Sequence, residues 1–270
     1  MGKLGSDRVR EVLPASLALG VAVLGTAAMT AGLFLVRLLG LRLTLVVSET
    51  LLMAPGLLAL AVGGIPLARG LALSTLDRRT TLLCVGAGAT LWIASLGLLE
   101  LQYAVWAPPE GYLEAFRRLH EALKPANPFD ALLSVLAIAL APAVCEEILA
   151  RGICLPSFRR GLGDAGAVVG SAVVFGLMHL DLYRLLFAFA VGLALGVLRL
   201  RTGVLVPSIL AHATLNTLTF ATAPFLDDPS QGLPDPRPLL GAGLLGGGSV
   251  ATLLLTRMLG PSVDSPSRSA

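Results

Sequence analysis

Two adjacent glutamates, Glu146 and Glu147, close an apolar run from Ala131 to Val144 that carries no charge of its own. A carboxylate at membrane depth costs roughly 2.5–3.5 kcal/mol on insertion scales, so an acid kept there is read as functional. Arg151 stands four residues beyond Glu147, the spacing at which an acid and a base on one helix neutralise each other in lipid. That pair reads as a support. Two of the three histidines, His179 and His212, fall in stretches with no Lys, Arg, Asp or Glu over their central residues. Phe175 precedes His179 by four and Asn216 follows His212 by four, so each pair shares a helix face. A carboxylate withdrawn from water is a stronger base, histidine moves protons near neutral pH, and an asparagine amide donates hydrogen bonds. Together they suit general acid–base chemistry inside a membrane. The plainer alternative is that these side chains only tie helices together, worth about 1 kcal/mol or less per bond. Two histidines and a glutamate can also ligate zinc, with Glu146, His179 and His212 as the ligands. No His-Glu-x-x-His pair is present and Asn216 would be left over. A site without metal or cofactor is therefore the favoured reading.

Those residues need long apolar helices to place them. The chain has 270 residues, 55% hydrophobic and 14% charged, with a mean hydropathy of +0.82. That balance excludes an ordinary soluble domain and describes an all-α polytopic membrane bundle. Reading between the charges gives about eight transmembrane helices, near 12–36, 43–67, 80–101, 131–158, 165–182, 185–200, 204–222 and 239–256. The first exceeds the roughly 7–15-residue apolar core of a signal peptide and reads as a retained span. The second holds Glu49 near its start and Pro55 and Gly56 in its middle, and reads as kinked. The third ends in Tyr103 and Trp106, followed by Pro108 and Pro109, an interface anchor and a stop.

Depth supports a common site. Glu146 and His179 lie on consecutive antiparallel helices joined near Gly161, Leu162 and Gly163, each roughly 16 positions from that turn, or about 24 Å. His212 and Asn216 rise toward the same layer from Gly203. Four polar residues from three helices thus converge.

No domain boundary or internal repeat is visible, so residues 1–270 read as a single membrane domain with 128–222 as its core. Between Ala107 and Asp130, Leu113, Phe116, Leu119 and Leu123 recur at helical spacing, as in an amphipathic helix on the membrane surface. Arg117, Arg118 and Glu121 would face water, with His120 an ordinary exposed histidine at the border. Residues 261–270 read as a disordered tail. Cys84, Cys145 and Cys154 have no metal-ligand spacing and read as small buried apolar residues.

The net charge of +3 does not indicate nucleic acid, because the basic residues form short clusters between spans. With the N-terminus inside, cytoplasmic segments hold Lys3, Arg8, Arg10, Arg69, Arg78, Arg79, Arg151, Arg159, Arg160, Arg199, Arg201, Arg257 and Arg268, the majority of the 20 Lys and Arg. The last outer loop carries Asp227, Asp228 and Asp235. The positive-inside rule then places both termini in the cytoplasm.

The ordered set Glu146-Glu147-x-x-x-Arg151, Phe175-x-x-x-His179 and His212-x-x-x-Asn216 resembles the motifs of the CAAX-protease and bacteriocin-processing family of intramembrane proteases, also called the Abi family. The resemblance covers roughly residues 128 to 222. It implies hydrolysis of a peptide bond in a membrane-associated protein or peptide by a glutamate-activated water, without a covalent intermediate. In that scheme Glu146 takes the proton from water, and His179 helps hold the water and relays the proton. His212 and Asn216 donate to the oxyanion, and Glu147, Arg151 and Phe175 have supporting places. A bacterial inner membrane fits the excess of Arg over Lys and the richness in Gly, Ala and Leu. A C-terminal sorting protease of the same family shares every motif. Outside catalysis, a scaffold or bacteriocin self-immunity protein remains the alternative. A transporter would show internal repeats with paired broken helices.

Overall fold

The computed structural model describes residues 12–226 and 235–260. The expected tail at 261–270, Asp227, Asp228, Lys3, Arg8, Arg10 and Arg268 lie outside the described residues. Within them the chain is all-α, without a strand. Its principal helices are α1 (Ala15–Leu39), α2 (Leu41–Val62), α3 (Arg78–Val105), α4 (Glu110–Leu123), α5 (Pro128–Leu177), α6 (Leu182–Thr202), α7 (Val206–Leu226) and α8 (Pro238–Met258).

Six of these, α1, α2, α3, α5, α6 and α8, are long and apolar enough to cross a membrane, so the chain is a multi-pass membrane protein. Six helices stand where eight spans were expected, for two physical reasons. The spans expected at 131–158 and 165–182 form one 50-residue helical run, α5, broken only at Gly163. There φ is +67° and ψ −175°, a backbone region open to glycine and strained for other residues. The span expected at 204–222 is helical as α7, but Ser208, His212, Asn216 and four threonines between Thr214 and Thr222 dilute its apolar character.

The helix starts follow local chemistry. Asn127 caps α5 by accepting from the Asp130 N–H at 2.9 Å, with Pro128 at the first helical position. Asp77 caps α3 through the Thr80 N–H, which holds its exposed carboxyl below the usual range. Asp181 caps α6 by accepting from the N–H groups of Tyr183 and Arg184. Gly203, with φ +74°, closes α6 in the left-handed conformation.

Small residues let the helices approach closely, as expected where lipid provides no hydrophobic drive between them. On α1, Gly25 lies against the Leu52 backbone of α2. Gly97 and Ala94 of α3 meet Gly241 and Gly248 of α8, where Thr90 Oγ1 also lies 2.8 Å from Thr252 Oγ1. Gly88 of α3 lies against Ala211 and Thr214, on either side of His212. The start of α2 is tied to the start of α5: Arg42 Nε donates to Ser134 Oγ at 2.8 Å, and Arg42 Nη2 to the Lys124 carbonyl at 3.1 Å. Further along, Gly56 of α2 rests on Ile153 of α5. The two helices therefore run parallel. All three cysteines are free and buried, as their apolar setting suggested.

The amphipathic α4 forms where expected. Leu123 is buried and Phe116 and Leu119 are exposed, while Arg117 is half-buried rather than fully in water. Its Tyr112 hydroxyl donates to Asp181 Oδ2 at 3.0 Å, and Tyr112 packs against Tyr183 with ring centroids 5.2 Å apart. Burial first, and then the Asp181 carboxylate, hold the Tyr112 phenol above its usual range.

Because a side chain at Gly88 would strike the α7 backbone, Gly88→Val should cost about 1–3 kcal/mol, a usual range for overpacking. Gly243→Val, at a position with no neighbour within 4 Å of an added Cβ, should change little. Thermal unfolding of the two purified variants checks this, and equal losses would contradict the packing described.

Candidate active site

The acidic pair ends the α-helical turn Ala141–Glu147 of α5, which lies between two π-helical stretches, Leu136–Leu140 and Ile148–Cys154. Such wide turns occur often at functional sites because they shift the side chains next to them. Glu147 and Arg151 are both fully buried, with Arg151 Nη1 donating to Glu147 Oε1 at 2.6 Å. Arg151 Nη2 donates to the Gly192 carbonyl of α6 at 2.8 Å. The Arg151 guanidinium carbon stands 4.4 Å from the centre of the Phe175 ring, within reach of a cation–π contact. Arg151 was assigned above to the cytoplasmic basic residues. Its position inside the bundle corrects that, because a guanidinium paired with a carboxylate carries no topology signal.

Phe175 is the hub of the histidines. His212 packs edge-on against it at 5.6 Å between centroids, and His179 does so at 5.2 Å. His212 lies between the two carboxylates: Nδ1 is 3.3 Å from Glu147 Oε1 and Nε2 is 3.8 Å from Glu146 Oε2. Neither approach is a hydrogen bond, the second being too long, and among the described residues His212 Nδ1, Glu146 Oε2 and Glu147 Oε2 are buried without a hydrogen-bond partner. His179 Nδ1 lies 2.8 Å from the Phe175 carbonyl oxygen. A carbonyl only accepts, so Nδ1 carries the hydrogen and Nε2 of the neutral ring keeps its lone pair.

Glu146 is 7% exposed, whereas His179 and Asn216 are half-buried. The structure thus brings Glu146, Glu147, Arg151, Phe175, His179 and His212 together. It links His179 to Glu146 through Phe175 and His212, without a direct hydrogen bond or ion pair between the two. Asn216 lies one turn beyond His212 on α7. Among the described residues no group of three His, Cys, Asp or Glu is arranged to hold a metal ion. His179 is only two residues from Asp181, the anchor of Tyr112, which puts the site near α4 and away from the turn at Gly163.

Two charged residues near the site were not singled out from the motifs. Glu49 of α2 and Arg184 of α6 both lie near enough for their charges to bear on Glu146. The available signal was Glu49 itself, the one acid in the apolar helix Leu41–Val62.

Residues 128–218 match a protein family described as type II CAAX prenyl endopeptidase, Rce1-like. The chain carries an Rce1-like domain. No curated protein and no solved structure matches the chain. The matched segment contains every residue of the three motifs and begins at Pro128, the first residue of α5. α1, α2, α3, α4 and α8 lie outside it. The family is one of proteases, which implies a protein substrate.

Removing one partner of a buried ion pair leaves an uncompensated charge, at a cost of about 3–5 kcal/mol, while replacing both by apolar residues is often neutral. Arg151→Met should therefore lower the thermal midpoint steeply, and Glu147→Leu combined with Arg151→Met should recover most of the loss. A double variant no more stable than the single one would contradict this.

Proposed function

We propose that the protein is an intramembrane endopeptidase that hydrolyses a peptide bond of a membrane-associated protein or peptide with a water activated by Glu146. The observation that carries this reading is the different fate of two adjacent carboxylates. Each keeps a buried Oε2 without a hydrogen-bond partner, but Glu147 is held through Oε1 by Arg151 at 2.6 Å, whereas among the described residues no cation bonds Glu146, whose Oε2 lies 3.8 Å from His212 Nε2. One acid holds the framework, and its neighbour is free to take a proton.

Glu146 removes one proton from water as the oxygen attacks the scissile carbonyl carbon. His179, with Nε2 unprotonated, stands beside that water and relays the proton from Glu146 toward the leaving amine. His212 and Asn216 donate to the developing oxyanion, and one such donor is typically worth about 10²–10³ in rate. Glu147, Arg151 and Phe175 hold the three helices in place without touching substrate. The setting proposed is a bacterial inner membrane, with both termini cytoplasmic and the whole chain one membrane domain around the core at 128–222.

The test is cleavage of a library of hydrophobic, membrane-inserting peptides by purified protein in liposomes, with new termini read by mass spectrometry. Cleavage should survive stripping with a strong chelator, with well under one zinc per chain, and His212→Ala should slow it without changing metal content. Chelation that silences cleavage, restored by zinc and accompanied by loss of metal in His179→Ala or His212→Ala, would show a metal-dependent protease. Absence of any cleavage would favour the scaffold or self-immunity role.

A further inference from the structure

The second helix contributes an acid that no motif of the matched domain contains. Glu49 is the one carboxylate of α2, in a helix otherwise charged only at Arg42. It is half-buried, and its Oε2 has no hydrogen-bond partner among the described residues. An acid placed in an apolar span without a partner needs a reason.

Its position relative to the site follows from two contacts between parallel helices. Near one end Arg42 of α2 bonds Ser134 of α5, and further along Gly56 of α2 rests on Ile153 of α5. Glu49 is midway between Arg42 and Gly56. The corresponding midpoint on α5 falls between Ala143 and Val144, within one helical turn of Glu146. Glu49 is also seven residues from Gly56, two helical turns, so it shares the face of α2 that meets α5. The charge of Glu49 bears on Glu146, as that register requires. Glu49 and Glu146 each have a buried carboxylate oxygen without a partner.

We propose that Glu49 is a water-positioning residue of this site, accepting a hydrogen bond from one hydrogen of the nucleophilic water while Glu146 accepts the other. This rests on the endopeptidase reading above. A water so held presents its oxygen lone pair to the scissile carbonyl. In the attack the O–H bond facing Glu146 breaks and its proton passes to Glu146, while the new C–O bond forms. The second hydrogen stays on the oxygen and remains directed at Glu49. The proton on Glu146 then goes by way of His179 to the leaving amine, and Glu49 ends unchanged.

Three substitutions and a cross-link test the proposal. In lipid, leucine inserts far more readily than glutamate, so an acid with only a structural place predicts an active Glu49→Leu variant. Water positioning predicts instead that Glu49→Leu lowers kcat on the best-cleaved library peptide at least 30-fold, with KM within about twofold and membrane abundance unchanged. Glu49→Gln, whose amide oxygen still accepts a hydrogen bond, should recover a substantial part of that loss. A Glu49→Leu variant that keeps a third or more of wild-type kcat overturns the proposal. Glu146→Gln separates the two readings: if it is silent while Glu49→Leu is active, only the role of Glu49 fails, and if both are active, the endopeptidase mechanism fails as well. A measurement without substrate secures the geometry. With Cys84, Cys145 and Cys154 changed to Ala, Glu49→Cys and Glu146→Cys should be joined by a short bifunctional thiol-reactive cross-linker, which then links the fragments after protease cleavage between residues 107 and 130. Thr50→Cys with Glu146→Cys should not. Failure of the first pair to link overturns the proposal.

Discussion

The buried pair of Glu147 and Arg151 is the interaction on which the rest of the site depends. Each ion gives up several kcal/mol of hydration on leaving water, and only close geometry with further hydrogen bonds offsets that. The bundle supplies both: a 2.6 Å bond within α5, a 2.8 Å bond from Arg151 to the Gly192 carbonyl of α6, and the face of Phe175. The fork of Arg151 thereby joins both limbs of α5 to α6. Gly192 is part of that geometry, because a side chain there would meet Ala172 at 3.0 Å and Arg151 Nη2 at 3.3 Å.

From this pair the chemistry is divided between neighbours in the chain. Pairing Glu147 with Arg151 leaves Glu146 beside it without a cation bonded to it, and the ring of His212 lies between the two. Phe175 packs against both histidines as well as the guanidinium, so one aromatic ring sets the relative positions of the cation and both imidazoles. The Phe175 carbonyl fixes the tautomer of His179 through Nδ1. One residue therefore shapes the site with its side chain and its backbone. The wide turns of α5 on either side of the acids explain how one helix can serve both framework and reaction.

Much of this was legible in the sequence because the motifs are local. An i,i+4 spacing on a helix brings Glu147 to Arg151 and Phe175 to His179 with no knowledge of the fold, and the turn near Gly163 is marked by its glycines. What depends on contacts between distant segments was not legible. Glu49 gains its meaning only from the register of α2 on α5, set by Arg42 with Ser134 and by Gly56 with Ile153. Arg151 was misplaced among topology signals because a charge count does not distinguish a paired guanidinium from one at a membrane surface. The eight expected spans meet six long apolar helices because α5 carries two of them in one run that turns back at a single glycine, and α7 gives up apolar residues for His212, Asn216 and its threonines.

The central claim is that Glu146, and not the adjacent Glu147, is the base. Its most direct test is the turnover of Glu146→Gln, in which the amide keeps the shape of the side chain and loses the proton acceptor, measured together with the amount of protein in the membrane. The structure predicts normal accumulation and turnover below one hundredth of wild type, in keeping with the 10²–10⁴-fold contribution of a positioned general base. A variant that accumulates normally and keeps even a tenth of wild-type turnover would contradict the assignment of Glu146.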